Sequence, residues 1–168
     1  MAKYSGIWQS VTATAIADTT ALTDNNYCYA LVGGTATQRN VVKEIFIGGE
    51  ATTATALVLV FARDSTAAGT LVAGTGTKVP ALLDSVATAP ATAPKGGNSA
   101  TTDPQRDAAG HLLQFSFNAF GGIVRWVAAD GYEPSLYGTA NSVGAASLSG
   151  YTGTGAAATS GHILFETV

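Results

Sequence analysis

The stretch 111–127 constrains this chain more than any other. Leu113, Phe115 and Phe117 recur at period two on one face, with Leu112, Gln114, Ser116 and Asn118 on the other. That alternation belongs to a half-buried β-strand. Gly121-Gly122 follows, with the φ freedom a reversal needs. The return run Ile123-Val-Arg-Trp-Val127 is β-branched and aromatic, as strands prefer. Side chains of this bulk are scarce elsewhere. The stretch therefore reads as one β-hairpin that anchors the core through Phe115, Phe117 and Trp126.

Similar signals recur along the chain at 6–14, 27–32, 40–47, 54–62, 133–137, 141–151 and 160–166, separated by Gly-rich turns. The run 54–62 is apolar on both faces, so it is expected to be covered on both sides. A short strand fits 70–73, and 78–84 fits either a strand end or a helical turn. No ten-residue stretch shows the three-four spacing of a helix. Eight to ten short strands in 168 residues predict one all-β domain over 1–168, an antiparallel β-sandwich with a jelly roll as the specific form. An immunoglobulin-like sandwich is the second choice. Residues 1–8 read as a short extended arm. Residues 87–106, which open on an Ala/Pro alternation, read as one long loop.

Chemistry-bearing motifs are absent from this frame. The two histidines, His111 and His162, each open a strand and read as structural. Ser147 and Ser149 lack a Gly-x-Ser-x-Gly elbow. No Cys-x-x-Cys or His-x-x-x-His pair offers a zinc site. Asp103 and Asp107 straddle Arg106 in what reads as a solvated turn, with too few ligands for calcium. The Gly-rich run 69–78 lacks the Lys-Ser/Thr and following helix of a phosphate loop. Cys28, the sole cysteine, reads as a small buried hydrophobe. The expectation is no enzyme, no catalytic, cofactor-binding or metal residues, and no cofactor.

Composition narrows the setting. Ala, Thr and Gly number 31, 23 and 20, and charged residues make up only 11%, against about 25% in an ordinary soluble domain. Such a surface suits a protein that works inside an assembly. Eight scattered Lys and Arg with a net charge of −3 argue against direct nucleic-acid binding. No apolar run reaches the ~18 residues of a membrane span, and the N-terminus lacks a signal-peptide core. Synthesis in a cytoplasm is the matching expectation.

Three segments taken together carry a family resemblance: Asn40-Val-Val-Lys-Glu-Ile-Phe-Ile-Gly-Gly-Glu50, Thr101-Thr-Asp-Pro-Gln-Arg106 and Phe117-Asn-Ala-Phe-Gly-Gly-Ile-Val-Arg-Trp126. With the Gly/Ala/Ser-rich C-terminal third, the chain resembles the capsid decoration, or cement, proteins of tailed bacteriophages. The resemblance implies a homotrimer on the outside of the virion head, bound to the major capsid protein. Tyr4, Ile7 and Trp8 of the arm are the expected shell contacts, with the 87–106 loop as a second place. Rival readings are a head-fibre or tail structural subunit, and a carbohydrate- or receptor-binding module using Tyr132, Tyr137 and Tyr151.

Overall fold

A computed structural model describes residues 1–84, 90, 92–151 and 155–168. In chain order the strands are β1 (Ala2–Ala13), β2 (Tyr27–Val32), β3 (Arg39–Glu50), β4 (Ala56–Thr66), β5 (Leu71–Val72), β6 (Ala81–Leu82), β7 (Lys95–Gly97), β8 (Ser99–Ala100), β9 (Gln105–Asn118), β10 (Phe120–Val127), β11 (Ser135–Tyr137), β12 (Ala145–Gly150) and β13 (Ala157–Thr167). The eight longest pair as nested antiparallel couples: β1 with β13, β2 with β12, β3 with β10 and β4 with β9. Lateral pairing of β13 with β3 and of β12 with β4 gathers the couples into two sheets. One sheet runs β10-β3-β13-β1-β6, with β11 also on β3, and the other runs β7-β2-β12-β4-β9. First-with-last pairing wrapped into two facing sheets is the connectivity of a jelly roll, and the fold is an antiparallel β-sandwich.

The strands form because the sequence alternates, and the alternation sets which face is buried. On β1, Tyr4 and Trp8 point inward while Lys3, Ile7 and Gln9 point out. Val42, Ile45 and Ile47 of β3 and Ile163 and Phe165 of β13 join them, facing Leu57, Leu59 and Phe61 of β4 and Leu148 of β12. β2 and β12 are buried at every position. Their second face is covered by a cap in which Ile16, Leu22, Ala68 and Leu71 pack on Tyr27, Ala30, Val32 and Ala145. The two-residue strands β5 and β8 pair within that cap. The run 59–62 is buried on both faces, as its unbroken apolar character requires.

Three expectations are corrected. Residues 1–8 are not an arm but most of β1, paired with β13 and, at Tyr4 and Ser5, with β6. Alternating inward bulk at Tyr4 and Trp8 draws the segment into the core. The stretch 111–127 is not a hairpin, because β9 and β10 are edge strands of different sheets. Buried Ala119 lies between them, accepting from Ala51 N at 2.9 Å and donating to Thr55 O at 2.8 Å. Those bonds tie the crossing to the β3–β4 connection. Gly121, at φ +68°, shapes a bulge at the start of β10 rather than a turn. Nor is 87–106 one loop, since it contains β7, β8 and the start of β9. Residues 85–89 and 91, with half of the Ala/Pro alternation, and 152–154 of the last glycine-rich turn lie outside the described residues.

Candidate functional site

Two arrangements have the makings of a site: a polar cluster under the cap, and the outer face of the six-stranded sheet. The cluster centres on Arg106, whose side chain is wholly buried. Its Nε donates to Asp18 Oδ1 at 3.1 Å, Nη1 donates to Ser149 Oγ at 2.6 Å and Gly150 O at 2.8 Å, and Nη2 donates to Ile16 O. His111 Nε2 also meets Asp18 Oδ1, at 2.9 Å. The Tyr151 ring lies 5.7 Å under the guanidinium and edge-on to His111. Burial pushes the Asp18 carboxyl up, but hydrogen bonds from His111 and Arg106 outweigh it and hold it below the usual range.

Across the β4–β9 ladder, Asp64 stands opposite Arg106. Ser147 donates to its Oδ1 at 2.6 Å, and its Oδ2 has no partner. Burial pushes the Asp64 carboxyl up to about 8 against the pull of Ser147 and Arg106. Among the described residues neither serine is hydrogen-bonded to a histidine. The hydroxyl of Ser149 accepts from Arg106, that of Ser147 donates to a carboxyl, and His111 is turned to Asp18. The arrangement staples the 16–18 segment to β9 and β12. Sequence reasoning missed it, because Arg106 and its partners stand 43 or more positions apart.

The second arrangement is built by register. Ile7, His162, Phe46 and Arg125 stand abreast on β1, β13, β3 and β10. Ser5, Leu164, Glu44 and Val127 form the next row. Ile123 (68% exposed), Val127 (56%) and Ile7 (46%) put apolar surface into solvent here. Most of the charges on the face are answered on the face. Glu44 takes Arg125 Nη2 at 2.8 Å and His162 Nε2 at 3.0 Å, and these bonds hold it below the usual carboxylate range. Lys43 lies 2.9 Å from Glu133 and 3.8 Å from Glu166, with Lys3 at 3.9 Å from Glu166. The His162 ring stacks on Phe46 at 5.4 Å. A shallow groove lined by Ile7, Gln9, Phe46, Glu50, Ser160 and His162 crosses the face. Hydrogen bonds from Ser10 and Ser160 hold the Glu50 carboxyl below the usual range.

The residues singled out in the sequence divide between surface and core. Of the expected contacts, Ile7 stays on the surface. Tyr4 and Trp8 are each 2% exposed. Tyr4 stacks on Phe165 at 5.5 Å, and Trp8 Nε1 donates to Thr159 Oγ1 at 3.2 Å. Among the expected anchors, Phe115 is buried, whereas Phe117 and Trp126 pack against the core from its rim. Trp8, Tyr29 and Phe61 hold the central places instead. Cys28 is fully buried beside Thr159, and burial pushes its thiol up to about 12. Tyr132 is exposed and Tyr137 half so, but Tyr151 is engaged with His111 and Arg106. No family model, curated protein or solved structure matches the chain.

Proposed function

We propose that this chain is a non-catalytic structural protein of a phage virion, a decoration protein that binds the outer surface of the head and stabilises it by contact with the major capsid protein. One observation carries the reading beyond the sequence resemblance. The β2–β12 part of the five-stranded sheet is covered by the chain's own cap, while the outer face of the six-stranded sheet carries exposed Ile7, Ile123 and Val127 among charges most of which are paired with one another. A face of that kind loses water while stranding few charges, which favours close packing against a neighbour. A homotrimer presents three such faces at once, so modest contacts add by avidity.

The test uses heads lacking the protein, incubated with purified chain and pelleted. Wild type is expected to co-sediment. An Ile123→Asp, Val127→Asp double variant is expected to remain in the supernatant while keeping the wild-type circular dichroism and melting temperature, since both side chains project into solvent. Full decoration by that variant would remove this face from the contact. No decoration by wild type would overturn the function itself.

A further inference from the structure

The groove across the open sheet face ends on a carboxylate that no cation answers. Ser10 Oγ donates to Glu50 Oε2 at 2.6 Å, Ser160 Oγ donates to Glu50 Oε1, and Ser10 N donates to Ser160 Oγ at 3.0 Å. β1 brings Ser10 there through the irregularity between Trp8 and Val11, where Ser10 stands at φ +53°. Hydroxyls from β1 and β13 thus fix both oxygens of an exposed side chain, and each oxygen keeps a lone pair to offer. Glu44, Glu133 and Glu166 are paired with cations, whereas Glu50 has no ion pair among the described residues. Gly48, two positions before it on β3, stands abreast of Ser160 and Ile123. A Cβ at Gly48 would meet only Ser160 O, at 3.7 Å. Packing does not demand the glycine, and its missing side chain leaves the groove open from the stacked rings of Phe46 and His162 to Glu50.

We propose that this groove receives an arginine side chain of the major capsid protein, its aliphatic stem over Gly48 and its guanidinium on Glu50. A partner that covers the face strands the Glu50 charge unless it brings a cation to it. No lysine or arginine of this chain lines the groove, so the cation comes from outside. The planar guanidinium fork matches a carboxylate whose orientation is already fixed, whereas an ammonium binds it only as a point charge. Glu50 is held by its two serines before the partner arrives, so little rotamer freedom is lost on binding. The methylenes of the stem suit a floor without a side chain and an aromatic end wall. A pair closed between two surfaces is screened by salt far less than an exposed one. The identity of the partner rests on the capsid reading, while the preference of the groove for a guanidinium does not.

One measurement reads the groove and another the shell. The isotope-labelled full chain is titrated with N-acetylarginine amide and followed by amide NMR, with the citrulline and lysine derivatives as controls. Arginine is expected to shift the Gly48, Ser160 and Gly161 resonances and to saturate in the millimolar range. Lysine is expected to shift them less, and citrulline, which keeps the shape without the charge, to leave them in place. Glu50→Gln and Gly48→Leu are expected to lose the arginine response while keeping the wild-type circular dichroism and melting temperature. A chain whose groove resonances ignore arginine, or answer citrulline equally, overturns the proposal whatever the heads do. On heads lacking the protein, Glu50→Gln is expected to bind about ten- to hundredfold more weakly than wild type, the loss of a charge-assisted contact. Decoration by Glu50→Gln at wild-type affinity overturns the arginine contact and leaves the capsid reading standing. A wild type that answers arginine but does not decorate heads overturns the capsid protein as the partner and leaves the groove an arginine site.

Discussion

Asp64 shows how one buried group sets a pH dependence. Its carboxyl is pushed up to about 8 by burial, while Ser147 and Arg106 pull it down without prevailing. An unfolded Asp titrates near 3.9. Between about pH 4 and pH 8 the folded chain therefore holds a proton that the unfolded chain has released. Stability contributed by this group is full below pH 4 and is lost as pH rises towards 8. Asp18 has the opposite sign, since its folded carboxyl titrates low and its contribution fades only in acid. Asp64→Asn keeps an acceptor for Ser147 and removes the ionisation. It is expected to flatten the decline in urea midpoint between about pH 5 and 8.5, a span chosen to cross the Asp64 range and avoid that of Asp18. Equal slopes in the two proteins would show that Asp64 is not its source. None of this was legible beforehand. Arg106 reads as part of a solvated turn because its ligands come from Asp18, Ile16, Ser149 and Gly150, which only the fold brings together.

At the level of elements, alternation located strands well and partners badly. The runs 27–32, 40–47 and 160–166 fall inside β2, β3 and β13 because hydrophobic period is a local property. Pairing is not local. Phe115 and Trp126 are close in sequence, yet their strands lie in different sheets, since Ala119 is bonded to Ala51 and Thr55 rather than closing a two-strand turn. The same blindness made an arm of β1, whose partner β13 is at the other end of the chain. The energetic weight of the two tryptophans follows from this. Trp8 is sealed between the sheets, so Trp8→Ala is expected to cost about 3–5 kcal/mol. Trp126 is on an edge strand and only partly buried, so its truncation is expected to fall below that range. Deleting residues 1–8 removes most of the strand between β13 and β6 and is expected to abolish the cooperative transition. Urea unfolding followed by fluorescence and circular dichroism checks all three. A Trp126→Ala loss equal to that of Trp8→Ala, or a folded truncation, would mean that the core is centred elsewhere.

For the molecule as a whole, the sequence foretold an all-β sandwich and left open which surface meets a partner. The sandwich was legible because Gly-rich turns punctuate short alternating runs. The face proposed for contact was not, because it is assembled by register from four strands that come from both ends and the middle of the chain. The physical character of that face has a consequence for assembly. Lys3, Lys43 and Arg125 are balanced by Glu44, Glu133 and Glu166 within it, so contact through it releases few counterions and gains little from long-range attraction. Apolar burial, at roughly 25 cal/mol per Å2, is then the main source of affinity, and salt does not screen it. Retention on heads is therefore expected to be nearly constant from about 0.05 to 0.5 M NaCl, a range over which the Debye length shrinks from about 14 to 4 Å. Sulfate, which strengthens apolar association, is expected to raise it. A steep loss of binding with NaCl would point instead to unpaired surface cations such as Lys78 or Lys95, and would move the contact from the open sheet face to the side of the molecule where those residues lie.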